Sequence, residues 1–260
     1  MSATLVGLAA VVAIATAIRS IWSPCGLSML STITPMAEAG RGHDFRSTSV
    51  WFVSGSIAGG LTLGCVMGAV ASSVAALEAT TTVTLWIVAG ASLVAAASDG
   101  RVGGFHLPGH DRQVNERWLD QYRSWVYGAG FGWQIGVGLA TYIMTAGVYL
   151  LILMGGLTAG PGIAIALGGL FGLVRGLAVY LAAGLDSQEK LLAFHERFES
   201  WREPVRQAMI VVQALVAVVA AGATGAGAPG LVAVAAAAAA TVALSLRGPR
   251  EAVYLNAATT

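Results

Sequence analysis

Two cysteines, two arginines and a proline are the residues of this 260-residue chain with the types and positions to do chemistry inside an apolar environment. Cys25 follows Pro24 within a long apolar run, and Cys65 lies in the next run. As thiols they are candidates for a redox pair, which requires Cα atoms within about 7 Å; as small apolar side chains they are candidates for ordinary burial. Arg19 and Arg175 are the two basic residues that fall within apolar runs. A charge in a bilayer costs at least about 2.5 kcal/mol, so such residues face a bundle interior or a wet cavity, unless the long stem carries the charge to an interface. Facing inward, they suit an anion, a lipid headgroup or a thiolate; Arg19, about a turn and a half before Cys25, is placed to activate that thiol. Gln134, with Thr141, Tyr142 and Thr145, and with Ser23, Ser28, Ser31, Thr32 and Thr34 in the first run, offers a polar route. Hydroxyls in spans also commonly bond to their own backbone.

Other chemistries are disfavoured. All 13 carboxylates lie in loops or at the ends of apolar runs, so coupling to a cation through a carboxylate within a span is not expected. His106 and His110 flank a Leu-Pro-Gly turn and do not share a helix face, so no metal site is expected, and no cofactor motif is present. No Ser-His-Asp set is placed for hydrolysis. A net charge of +1, with basic and acidic residues interspersed, excludes a polyanion-binding field and hence nucleic acid.

The elements that must position these residues are apolar runs over about 4–35, 49–76, 82–98, 125–154, 160–184, 207–222 and 230–246. With 56% hydrophobic and 10% charged residues and a mean hydropathy of +0.74, the chain has too little polar surface for a water-soluble globule and requires lipid. Of its 14 Lys and Arg residues, 12 fall in alternate gaps between runs: Arg41 and Arg46; Arg101, Arg112, Arg117 and Arg123; Lys190, Arg197, Arg202 and Arg206; Arg247 and Arg250. Short basic loops stay cytoplasmic. The pattern therefore predicts an all-α polytopic protein of about seven transmembrane helices in a membrane of bacterial cytoplasmic type, N-terminus outside and C-terminus inside. The first run has no preceding positive residue and exceeds a signal-peptide core, so it is expected to remain as a helix. Residues 1–260 form one membrane domain. The gaps 99–124 (Val114, Trp118, Tyr122, Trp125) and 185–206 (Leu191, Phe194, Phe198, Trp201) read as amphipathic surface helices, connectors in the headgroup layer or docking faces for a partner.

Two runs, the first and the fourth, exceed the roughly 20 residues of a straight span. Pro24 breaks one, and Gly128, Gly130, Gly132, Gly136 and Gly138 loosen the other. Interrupted helices at equivalent places in two halves point to a central site in an inverted repeat. Residues 21–34 align with 132–145, Trp22 against Trp133 and Thr34 against Thr145; Gly60, Gly64 and Gly68 correspond to Gly168, Gly172 and Gly176. The repeats are about 4–98 and about 125–222, with an extra span at about 230–246. The glycines also suit close helix packing in lipid.

The Ser-Pro-Cys-Gly segment in a glycine-rich first span, the basic loop after it and a second long span beginning YGAGFGWQ resemble the transmembrane thiol-disulfide interchange family of the CcdA/DsbD type, over about residues 15–185. The resemblance implies electron carriage across a membrane in cytochrome c maturation, with a thioredoxin-like or other membrane protein as partner and one Pro-Cys from each half as the redox pair. Pro24 and Cys25 match the first Pro-Cys; Ile135 and Gly136 stand in place of the second. Two functions follow as expectations: a thiol-disulfide carrier or accessory using Cys25 with Cys65 or a partner's cysteine, or a non-redox transporter or assembly scaffold with Arg19 and Arg175 on an anionic or zwitterionic substrate route.

Overall fold

A computed structural model describes residues 2–109, 122–225 and 227–247. Among these the secondary structure is helical. The first apolar run is four pieces: α1 (Ala3–Arg19), a 3-10 turn (Ser20–Trp22), α2 (Pro24–Thr32) and α3 (Pro35–Gly40). Then come α4 (Phe45–Ala76) and α5 (Thr81–Asp99). The fourth run is two helices, α6 (Ser124–Val137) and α7 (Gly147–Leu157). The chain ends with α8 (Pro161–Leu177, extended by a 3-10 turn to Ala182), α9 (Gln188–Ser200), α10 (Arg202–Ala223) and α11 (Ala228–Arg247). Capping residues set the starts: Ser2, Ser23, Thr34, Asp44, Thr80 and Ser187 each accept a hydrogen bond from the backbone N–H three residues on.

Among the described residues, six stretches of helix are long and apolar enough to cross a membrane, against the seven spans expected. The difference is the fourth run: α6 has 14 residues and α7 has 11, each short of the roughly 20 needed to cross alone. Its interruption follows from Gly138, whose φ of +72° no ordinary L-residue holds without strain.

The centre of the bundle is α4, 32 residues long and so about 48 Å. The two glycine ladders noted in the sequence meet each other here. A Cβ on Gly60 would collide with the backbone of Gly168 and Gly172, and one on Gly64 with that of Ile165. The Ser56 hydroxyl donates to the Gly172 carbonyl at 2.7 Å. On its other side α4 meets α6 as closely, Gly55 against Ala129, Gly132 against Phe52 and Gly136 against Ser56. Without side chains between them the backbones touch, the arrangement by which helices associate in lipid. Around this slab α1 packs on α7, α8 and α10, and α10 packs on α5 and α11.

Two apolar cores result. One joins Val12 of α1, Met67 of α4, Val88 of α5, Leu151 of α7, Phe171 of α8 and Val216 of α10. The other surrounds the break in the first run: Ile21, Trp22, Cys25, Phe52, Phe131, Ile135 and Val179, closed over by Phe198 of α9. The amphipathic helix read at 185–206 is thus a cap on the interior. Of the helix expected at 99–124, Val114 and Trp118 lie outside the described residues, as do His110, Arg112 and Arg117; Val102–Gly104 is a 3-10 turn and Trp125 stands exposed in α6.

Candidate functional site

The first interruption is built from Ser23. A residue before proline is driven out of the helical region, and Ser23 is extended at φ −67°, ψ 155°. Its hydroxyl accepts from the Gly26 N–H at 3.2 Å. Pro24, expected to break a helix by clashing with the preceding turn, instead occupies the first position of α2, where its missing N–H has no intrahelical partner to lose. Trp22 is pinned: its indole N–H donates to the Phe198 carbonyl at 2.8 Å and its ring lies 4.2 Å from that of Phe198, the planes 5° apart.

The second interruption runs from Gly138 to Ala146 and is tied to the end of α5. The Thr145 hydroxyl donates to Asp99 Oδ2 at 2.5 Å and the Ala146 N–H to Oδ1 at 2.7 Å. Gln213 of α10 donates to Oδ2 at 2.9 Å, and Arg206 donates to the Asp99 backbone carbonyl at 3.0 Å. Asp99 therefore serves as an external cap for α7, satisfying a donor that the helix leaves over at its start. Arg19 is 2% exposed, donates to Met144 Sδ at 3.6 Å and lies in electrostatic reach of Asp99 and Glu203. Tyr142 and Met144 pack on the core around Cys25. The two interruptions thus meet at this core.

A cavity of about 280 Å³ reaches this junction, lined by Asp99, Arg101, His106, Tyr142, Thr145 and Tyr149 among others. Arg175 reaches the start of the second interruption, its Nη1 3.8 Å from where a Cβ on Gly138 would stand. It is 2% exposed, donates from Nη1 to the Ile135 carbonyl at 2.6 Å and lies over the Phe171 ring at 5.7 Å. Its Nη2 is buried without a hydrogen-bond partner. A bare donor on a buried cation is costly, and the acceptor that suits it best is an anionic one.

Of the residues singled out from the sequence, the structure brings Cys25 and Arg175 together: the thiol, buried at the start of α2, is in electrostatic reach of the guanidinium. Arg175 thus joins Arg19 as an arginine placed to act on the Cys25 thiol. Cys65 is exposed on α4 and neither cysteine is in a disulfide. The core holding Cys25 meets α4 at Phe52, 13 residues before Cys65 and hence about 20 Å away along the axis. The two thiols are not brought within bridging distance. Pro24 is partly buried, and Gln134 is half-buried on α6 beside the exposed Trp133.

Three residues were missed. Asp99 was placed at a run end and so outside the interior, yet the folded-back segment closes over its carboxylate. Gln213 is an amide inside the apolar sixth run, which is the signal the sequence carries, and it is completely buried. Glu38 was read as a loop acid but is 0% exposed, accepting from Thr48 at 2.6 Å and Tyr127 at 2.5 Å while Arg41 pairs with it at 3.0 Å. It ties α3 to α4 and α6. Among the described residues, no group of three or more His, Cys, Asp or Glu is placed to hold a metal ion.

No protein-family model, curated protein or solved structure matches the chain.

Proposed function

We propose that this chain is an integral membrane transporter or substrate-handling scaffold for a small anionic or zwitterionic compound, bound where the two interrupted helices meet. The observation that carries the reading is the buried Arg175 guanidinium with Nη2 unpartnered beside the second interruption. Discontinuous helices with polar groups at their ends are how transporters form sites within the bilayer. Support comes also from Arg19 buried across the junction and from the cavity beside Asp99. In this reading the halves about 4–98 and 125–222 are inverted repeats in a bacterial cytoplasmic membrane, with the basic loops, and so the cavity mouth at Arg101 and His106, on the cytoplasmic side.

The test is charge displacement on proteoliposomes adsorbed to a solid support, challenged in turn with inorganic phosphate, sulfate, small carboxylates and zwitterionic amino acids. At least one compound gives a transient in the wild type that Arg175→Leu abolishes while the variant still inserts and elutes as a single species. Silence across the panel, or a transient indifferent to the substitution, overturns the reading.

A second reading rests on a different feature: Cys25 sits in the first turn of α2 with Arg175 in reach. Helix N-termini and neighbouring guanidinium groups favour thiolate, and Arg175 would then hold that anion instead. This is the thiol-disulfide exchange of the CcdA/DsbD-type family, modified so that the attacked disulfide belongs to a thioredoxin-like partner: the Cys25 thiolate forms a mixed disulfide and the partner's second sulfur leaves as thiolate. Trapping such an adduct with Cys25 and losing it in Cys25→Ser would favour this reading; a fully functional serine variant would dispose of it.

A further inference from the structure

The bonds around Asp99 leave two acceptors unused. With Asp99 ionised, Thr145, Gln213 and the Ala146 N–H all donate to its carboxylate. Gln213 Oε1 and Thr16 Oγ1, both on side chains with no exposure, are left without partners. Buried polar atoms are rarely orphaned unless a second arrangement or a ligand uses them. A proton on Asp99 supplies the missing donor. The amide of Gln213 turned end for end then presents Oε1 to the new O–H, since the two ends of an amide occupy the same volume. The Thr145 hydroxyl, no longer needed by Oδ2, is released toward Thr16; both hydroxyls crowd the space that a side chain on Gly147 would take. The ionised arrangement satisfies Ala146, Thr145 and the Gln213 amide N–H; the protonated one gives Gln213 Oε1 and Thr16 Oγ1 their donors and gives up the Gln213 N–H bond. These are the two states of one site.

We propose that Asp99 is a reversible proton-binding site whose occupancy frees the Thr145 hydroxyl and loosens the 138–146 segment against α5. The proton comes from water in the cavity, which Asp99, Thr145 and Ala146 all line. Other charged and titratable groups face the site from each element around it. Arg19 faces it from α1; Arg206 and Glu203 of α10 are paired with each other at 2.5 Å. Arg101, His106, Tyr142 and Tyr149 lie on the cavity wall. His106 shares the cavity, so its own titration must be separated from that of Asp99. The proposal deepens the transport reading by assigning it a coupling ion, and it is tested without any cargo.

The full-length protein in detergent is titrated from neutral to acid pH while infrared difference spectra record the carbonyl stretch of protonated carboxylic acids. Expected is a band present in the wild type and in His106→Gln but absent in Asp99→Asn. In parallel, Met144→Cys in a Cys25→Ser, Cys65→Ser background is labelled with a maleimide, normalised at each pH to Leu192→Cys, an exposed position on α9. Labelling of Cys at 144 rises about tenfold through the same midpoint, the factor that loss of a hydrogen bond to a charged group implies, and Asp99→Asn fixes it at the fast rate at every pH. Thr145→Val, which removes a hydroxyl that donates to the ionised form alone, moves the midpoint to higher pH and keeps the proposal testable if Asp99→Asn does not fold. A band that survives Asp99→Asn, a midpoint indifferent to Thr145→Val, or labelling flat with pH overturns it. Loss of anion-evoked transients with the infrared band intact would refute the transport reading alone.

Discussion

Trp22 lies flat on Phe198, the ring centroids 4.2 Å apart, and its indole N–H reaches the Phe198 backbone carbonyl at 2.8 Å. One residue precedes the extended Ser23 by a single position; the other is the last large apolar side chain of the amphipathic α9. Phe194 extends the stack, 5.4 Å from Phe198, and Ser31 of α2 meets His195 at 3.0 Å. The helix after Ser187 is thereby fastened to the first interruption at several points along its length.

Trp22→Ala removes both the stack and the hydrogen bond and costs about 3 kcal/mol. Limited proteolysis reads this locally, as cleavage within 188–200 that accelerates well beyond cleavage elsewhere. Trp22→Phe keeps the stacking and leaves the Phe198 carbonyl unpaired, for about 1 kcal/mol.

Gly60→Ala destabilises the protein by about 3 kcal/mol, because the added methyl meets backbone that has no rotamer to change. Gly90→Ala is the control, a helical glycine with nothing within 4 Å of the new Cβ; it is neutral or stabilising by up to about 1 kcal/mol. Thermal unfolding in detergent separates the two.

Tyr127→Phe deletes one donor to the buried Glu38 and costs about 2 kcal/mol, the range for a hydrogen bond to a charged group. Glu38→Gln costs about 3 kcal/mol or more, since Arg41 uses Oε1 while the Thr48 and Tyr127 hydroxyls use Oε2, and an amide keeps one of those acceptors, turns the other into a donor and removes the charge paired with Arg41. A double-mutant cycle shows the two effects to be non-additive.

Alkylation of native protein with a membrane-permeant maleimide modifies Cys65 faster than Cys25, because one is exposed and the other is 1% exposed. Denaturation brings the two rates together. Reductant leaves the native pattern unchanged in the isolated protein, as there is no disulfide between them to open; a reductant-dependent rise at both positions would show that they pair after all.

What was legible in the sequence was whatever lipid dictates directly. Apolar length marked the helices, and surplus length marked the two runs that break. The ladders Gly60, Gly64, Gly68 and Gly168, Gly172, Gly176 could be seen as packing surfaces because a four-residue repeat of missing side chains has few other uses in a membrane. That they would seat in each other was not visible, since nothing in a periodicity names its partner. The failures share a cause. Asp99 and Glu38 were judged by distance along the chain from an apolar run, whereas burial was decided by segments that fold back, 138–146 over one and the start of α6 over the other. Arg175 and Cys25 are 150 positions apart, and only the meeting of α2 with α8 joins them. Pro24 was assigned the right location with the wrong mechanism, because a proline at a helix start and a proline at a kink look alike until the residue before it is seen to be extended.

Where backbone lies on backbone, as along α4 against α6 and α8, there are no side chains to re-pack and therefore no intermediate positions for the helices to slide through. Those three elements move as one piece or not at all. The nine residues without helix between Gly138 and Ala146 join that block to α7, so among the described residues they are a place where the chain can bend without parting backbone from backbone.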